Sequence, residues 1–439
     1  MTSTLLEPSV RSPLRSSTPR ASRSLRVGVV LGSVALALWG GELVLAWSQH
    51  AAGRQALARR AGVRYDRRTP SQVVLDLRAR GLDAVPAINR PWSTAFTAPT
   101  PDAVFPLGGV PNRLTVLCNE SGSYASYRSD PHGFNNPPEL WDGRPIDVVL
   151  LGDSFVQGSC VGPDQTIAAG VRRVVPRTLN LGYGGNGPLG LLATLMEYAQ
   201  PIRPARVIWS FYEGNDLDDL QQELAYPYLR TMAVLTANGR QDLLHRQDQI
   251  ARDYVPWVTR EAMEQALART HPHTQGWWTY DALCARFGED SPWLFAAQWA
   301  KLSTLRTMGR TVLASLTAGR KPVFPNEEVF RRVLLAARDA TTSWGGQLYM
   351  LYLPEWQRYR PFGRPNPARD EVLRIAAQLG IPIIDIDPAF RASGHPRRYF
   401  PFGLPGHYNA DGYRLVAQRI LAALGASEDR PGPAASSAL

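Results

Sequence analysis

Ile146-Asp147-Val148-Val149-Leu150-Leu151-Gly152-Asp153-Ser154 is the stretch on which the reading of this chain turns. Its first six residues form the apolar run expected of a strand buried on both faces of a parallel sheet. Gly152-Asp153-Ser154 follows at once, with Phe155 next and Gly158 shortly after. A serine between a buried strand and a helix is held rigidly yet exposed, as a nucleophile must be. The tripeptide alone is weak, because turns are rich in these residues.

Outward from this strand the pattern alternates. Thr166–Val175 reads as a helix, Thr178–Leu181 as a strand, Leu189–Ala199 as a helix and Val207–Phe211 as a third strand. Gln347–Leu353 and Pro382–Ile386 supply two more strands, preceded by the helical stretches Asn326–Thr341 and Pro367–Leu379. Asn409–Leu424 closes the chain's regular part as a helix. Strands alternating with helices predict a parallel sheet with right-handed crossovers. The expected fold is α/β: a flavodoxin-like three-layer sandwich with a five-stranded parallel sheet.

Open α/β sheets bind ligands beyond the carboxyl ends of their strands. The second strand ends in Asn180-Leu181-Gly182-Tyr183-Gly184-Gly185-Asn186-Gly187, dense enough in glycine for backbone N–H groups to approach a ligand. The third ends in Tyr212-Glu213-Gly214-Asn215-Asp216, where the asparagine amide could donate to an oxyanion. His407 lies in Gly406-His407-Tyr408-Asn409, just before the last helix and within predicted reach of Ser154.

These four segments, in this order, resemble the four blocks of the SGNH (GDSL-like) hydrolase superfamily. The resemblance covers about Pro145 to Leu424 apart from an insertion. It implies Ser154 as nucleophile, His407 as base, and an oxyanion hole from Ser154 N–H, Gly182 N–H and the Asn215 amide. No cofactor is implied. The departure is at the acid: the superfamily usually has an aspartate two or three residues before the histidine, where this chain has Pro405 and Leu404. Either another carboxylate is recruited, with Asp387 and Asp385 nearest by topology, or Ser154 and His407 work as a dyad. Asp411 reads better as a first-turn charge of the last helix.

The rest of the chain is less regular. Residues 1–25 are expected to be a disordered basic terminus, 26–48 a single-pass membrane anchor and 49–143 a linker segment. Residues 144–425 would form the hydrolase domain, with a helical cap inserted at 217–320, and 426–439 a disordered tail. Val27–Trp47 is about long enough to span a bilayer, with Glu42 near its far end reaching the interface. Trp257, Trp277, Trp278, Trp293 and Trp299 suit the core of a packed cap. Within the linker, Ser71–Gly81 reads as a helix, and Leu114–Cys118 and Ser123–Tyr127 as edge strands.

Net charge is +10, but the arginines crowd the two flanks of the apolar run and do not interleave with aromatics. That points to a membrane surface and away from nucleic acid. No zinc-ligand spacing, Walker loop or dinucleotide fingerprint occurs, so no metal is expected. Of the three cysteines, Cys118 and Cys160 flank the first core strand and are the disulfide candidate if the domain is exported; the alternative is three buried thiols. The expectation is therefore a membrane-anchored, extracytoplasmic serine esterase acting on O-acyl esters of a carbohydrate. An O-acyltransferase, a lipase-like esterase and a non-catalytic glycan-binding domain are the alternatives.

Overall fold

A computed structural model of the chain describes residues 23–51, 53–87, 104–234, 240–270, 299, 302, 305–306, 324–360, 363 and 365–426. The chain divides into two compact units, one of residues 1–50 with 287–317 and one of 51–286 with 318–439.

The first unit contains the helix Arg23–Ala51. Among the described residues no helix is long and apolar enough to cross a membrane. Glu42, expected at an interface, is instead fully buried, and its Oε2 accepts the Leu305 N–H at 2.8 Å. Trp299 Nε1 donates to Trp39 O at 2.8 Å in the same unit. One stretch of the expected cap thus lies against the apolar helix. Trp277, Trp278, Trp293 and Cys284 lie outside the described residues, as do the expected disordered ends apart from residues 23–25 and 426.

The second unit holds two sheets. The smaller is built from the linker: β1 (Ala84–Pro86), β2 (Leu114–Val116) and β3 (Ser126–Arg128), in that order. β2 pairs parallel to β1 and antiparallel to β3. The helix Pro70–Ala79 packs beside them, its start fixed by a Thr69–Gln72 capping box. The helix and edge strands expected in the linker are therefore present, and they share a small core in which Val73, Val74, Ala84 and Val116 are buried together.

The larger sheet has β4 (Val148–Gly152), β5 (Thr178–Gly182), β6 (Arg206–Tyr212), β7 (Gln347–Leu353) and β8 (Ile383–Asp385). Its order is β5-β4-β6-β7-β8, and every neighbouring pair is parallel. This is the expected doubly wound arrangement, with a switch point between β4 and β6. Alternation along β4 makes the layers. Val149 and Leu151 face one core with Leu181, Val207 and the helix Glu327–Ser343; Val148 and Leu150 face the other with Ile167, Ile208 and the final helix Ala410–Ala423. β8 is shorter than its apolar run, because Ile386 already starts the turn into the helix Asp387–Ala392.

Candidate active site

The position of Ser154 is set by the end of β4. Asp153 caps the short helix Ser154–Gln157, its Oδ1 accepting Phe155 N–H at 2.9 Å, and Gly158 ends it in the left-handed region. Gly182, at the end of β5, lies directly against this helix: a β-carbon there would collide with Gln157 N and the Val156 backbone. The glycine therefore serves close packing. Its N–H donates to Asn180 Oδ1 at 2.8 Å, so the expected Gly182 oxyanion donor is already committed.

The glycine-rich loop beyond β5 is held from two sides. Gln157 Oε1 accepts Gly184 N–H at 3.1 Å, and buried Glu223 accepts the N–H groups of Gly187, Leu189 and Gly190 at 2.7, 2.9 and 3.1 Å. At the end of β6, Asn215 Nδ2 donates to Asp219 Oδ2 at 2.9 Å, which fixes the amide and leaves its second N–H. Tyr212 N–H donates to Asp216 Oδ2 at 3.0 Å and tightens the same turn.

His407 arrives from the opposite end of the chain. Tyr408, fully buried, packs against Phe155 with ring centroids 4.8 Å apart and donates its hydroxyl to Pro354 O at 2.7 Å. Asn409 caps the final helix through Gly412 N–H. Between these anchors the imidazole is aimed at the serine: His407 Nε2 lies 2.9 Å from Ser154 Oγ.

The third member comes from the linker. Glu120 Oε1 is 3.2 Å from His407 Nδ1, and Glu120 Oε2 accepts the His407 backbone N–H at 2.8 Å. Burial pushes the Glu120 carboxyl up, but the hydrogen bond and charge of His407 and the charge of Arg54 outweigh it, holding the group below its ordinary value. An ionised Glu120 accepts from Nδ1–H, which leaves Nε2 unprotonated and facing the serine hydroxyl.

Glu120 corrects the sequence reading of the acid. Asp385 is paired with Arg369, and its Oδ1 accepts Asp387 N–H at 3.0 Å. Asp387 accepts Tyr359 Oη at 2.7 Å and lies 2.5 Å from Arg358. Arg358 is itself buried and bound to Glu213 at 2.8 Å. Both aspartates thus serve a network that ties together the carboxyl ends of β6, β7 and β8. Asp411 pairs with Arg414 at 2.7 Å, a first-turn charge as expected.

Sequence reasoning missed Glu120 although a signal for it was present. Cys118, two residues before it, forms a disulfide with Cys160, six residues past Ser154. That bond, with Cα atoms 4.9 Å apart, brings the Glu120 loop to the side of Ser154. Cys160 Sγ lies 3.5 Å from His407 Nδ1. Cys118, Cys160 and His407 place one ligand-type atom each within 4.8 Å, but the sulfurs are bonded to each other and are not thiolates.

Two further carboxyls stand on the serine side. Asp153 Oδ2 is 3.5 Å from Ser154 Oγ, and burial pushes its carboxyl up to about 6. Burial, and then the charge of Asp153, raise Asp216 well above the usual range. A cleft of about 630 Å³ lies beyond the disulfide, between Ser121–Ser126 and the start of the final helix; Ser154 does not line it.

No protein-family model and no curated protein matches this chain. Solved structures similar to it include the acetyl xylan esterase AlAXEase, at 10% identity and a TM-score of 0.34, covering 64% of this chain and 100% of that one. Another is a lipase/acylhydrolase from Enterococcus faecalis, at 14% identity and a TM-score of 0.34, covering 65% and 100%. A two-domain esterase active on acetylated mannans aligns at 14% identity and a TM-score of 0.33, over 68% of this chain and 55% of its own.

Proposed function

We propose that the chain is a serine esterase working through an acyl-enzyme, with Ser154 as nucleophile, His407 as base and Glu120 as acid. The observation that carries this reading is the continuous relay Ser154 Oγ–His407 Nε2, then Nδ1–Glu120, beyond the carboxyl end of β4 beside the switch point. His407 takes the serine proton as Oγ attacks an ester carbonyl, and Glu120 supports the imidazolium that forms. The leaving alcohol takes that proton back. Water, activated by the same imidazole, then breaks the acyl-serine bond and releases the acid. The tetrahedral oxyanion would be met by Ser154 N–H and the second Asn215 N–H.

With a carboxylate at Nδ1, the reading as a binding module without catalysis loses its support, which was the missing acid. The substrate class, O-acyl esters such as acetyl groups on a carbohydrate, rests on the resemblance to the SGNH superfamily. A sugar hydroxyl in place of water would make the same site an O-acyltransferase.

The disulfide supports an oxidising compartment for the catalytic unit. Exposed Val29, Val30, Leu31 and Leu36 on the helix Arg23–Ala51 support contact of that helix with a membrane.

The test is labelling by a fluorophosphonate, followed by hydrolysis of p-nitrophenyl acetate and of acetylated xylan and mannan. Wild-type protein should label and turn over, and Ser154→Ala should do neither. Wild-type turnover by a folded Ser154→Ala variant would remove the nucleophile assignment.

A further inference from the structure

The acid and the base are gripped by the same side chain, Arg54. It opens the short helix Arg54–Arg60 on the linker, and no sequence motif singles it out. Its Nη2 donates to the carbonyl of Pro405 and lies 3.6 Å from Glu120 Oε1. Glu120 in turn holds the backbone N–H of His407. Arg54 and Glu120 therefore hold both ends of the three-residue loop Pro405-Gly406-His407. Gly406 completes the fit. It has φ +155°, and a β-carbon on it would strike the Glu120 carboxylate and the Arg54 guanidinium. The loop, the acid and the guanidinium are packed with no room for a methyl group.

We propose that Arg54 is a positioning residue of the site, setting the acid and the histidine loop as one unit. The inference rests on the Ser154–His407–Glu120 reading. Without Arg54, Glu120 keeps its hydrogen-bond partners but loses the cation that holds Oε1 toward Nδ1, and Pro405 O loses its tie to the linker. The imidazole then samples orientations in which Nε2 no longer meets the serine hydroxyl. Small misplacements of this kind lower turnover far more than they lower substrate binding.

The experiment is a double-mutant cycle on the full chain, read with p-nitrophenyl acetate. Arg54→Ala should lower kcat about 10- to 100-fold and leave KM within about twofold. In a Glu120→Gln background the same change should cost less than about twofold more, because the unit it positions is already broken. Wild-type kcat for Arg54→Ala, or a full multiplicative loss on top of Glu120→Gln, would overturn the inference. If Arg54→Ala does not fold, Arg54→Gln, which keeps a donor for Pro405 O without the charge, carries the same cycle. Ser154→Ala runs alongside: if it retains turnover, the reading beneath fails and this inference with it, whereas an inactive Ser154→Ala with a silent Arg54→Ala overturns the Arg54 role alone.

Discussion

The α/β part of the second unit and the linker in front of it contribute to one site by opposite means. β4, β6 and the final helix place Ser154, Asn215 and His407 through buried apolar packing, with every residue of β4 inside the core. The linker has three short strands and a small core, and it delivers Glu120 and Arg54 through a disulfide and polar contacts. Geometry set by packing is stated redundantly by many side chains. Geometry set by a few cross-links fails when one of them goes.

The comparison breaks first at the histidine. His407→Ala should lower kcat/KM by about 10⁴-fold or more with folding intact, checked by p-nitrophenyl acetate kinetics beside a thermal melt. Residual activity close to wild type would remove the imidazole from the reaction.

Glu120→Gln sharpens it. Loss of an orienting carboxylate costs up to about 10⁴-fold through the wrong tautomer, and a loss of about 10²- to 10⁴-fold is expected here. Asp385→Asn and Asp387→Asn should stay within about tenfold of wild-type rate, since both carboxylates are engaged with arginines away from His407. Their effect should be read in the melting temperature. An inactive, folded Asp387→Asn together with an active Glu120→Gln would return the acid to the α/β part.

Cutting the cross-link is a step smaller. The Cys118–Cys160 bond joins residues 42 apart in sequence, and disulfides typically contribute about 2–4 kcal/mol. Cys118→Ser with Cys160→Ser should lower stability to denaturant by that amount and reduce kcat more than Asp385→Asn does. Unchanged stability in the doubly substituted protein would show that the linker docks without its staple.

The smallest expected effect is a pH dependence. Asp153 has a carboxyl raised to about 6 from an ordinary value of 3.8, so between these values the folded protein binds more protons than the unfolded one. Its contribution to stability is complete below the lower value and is lost as pH rises through about 6. Asp153→Asn keeps the acceptor for Phe155 N–H and removes the titration. The variant should gain about 1–2 kcal/mol relative to wild type between pH 4.5 and 7.5, by urea denaturation at both. A constant difference between the two proteins across that range would rule the mechanism out.

Legibility followed the same division. The sheet was readable because strands such as Val148–Gly152 and Gln347–Leu353 are largely apolar runs of strand length and helices such as Glu327–Ser343 repeat at helical spacing. Ser154 and His407 were readable because both stand where such elements end. Gly182 stands where its motif puts it, but the partner of its N–H, Asn180 Oδ1, is visible only in three dimensions. Glu120 was not readable from periodicity, because it lies in a turn between two three-residue strands. It became findable only through its neighbour Cys118. Glu42 was placed at an interface on hydropathy alone; it is buried, and one hydrogen bond to it comes from Leu305, far away in sequence.

The chain separation within the relay sets an order of events at the ribosome. Glu120 and His407 are 287 residues apart, and Ser154 precedes His407 by 253. A chain made from its amino terminus presents Glu120 and Ser154 long before His407 exists. Until His407 has been made and Ala410–Ala423 has docked Tyr413, whose hydroxyl donates to Ser159 O, Ser154 Oγ has no imidazole beside it. The pairing of Ser154 with His407 thus waits, in every nascent chain, until synthesis has passed His407.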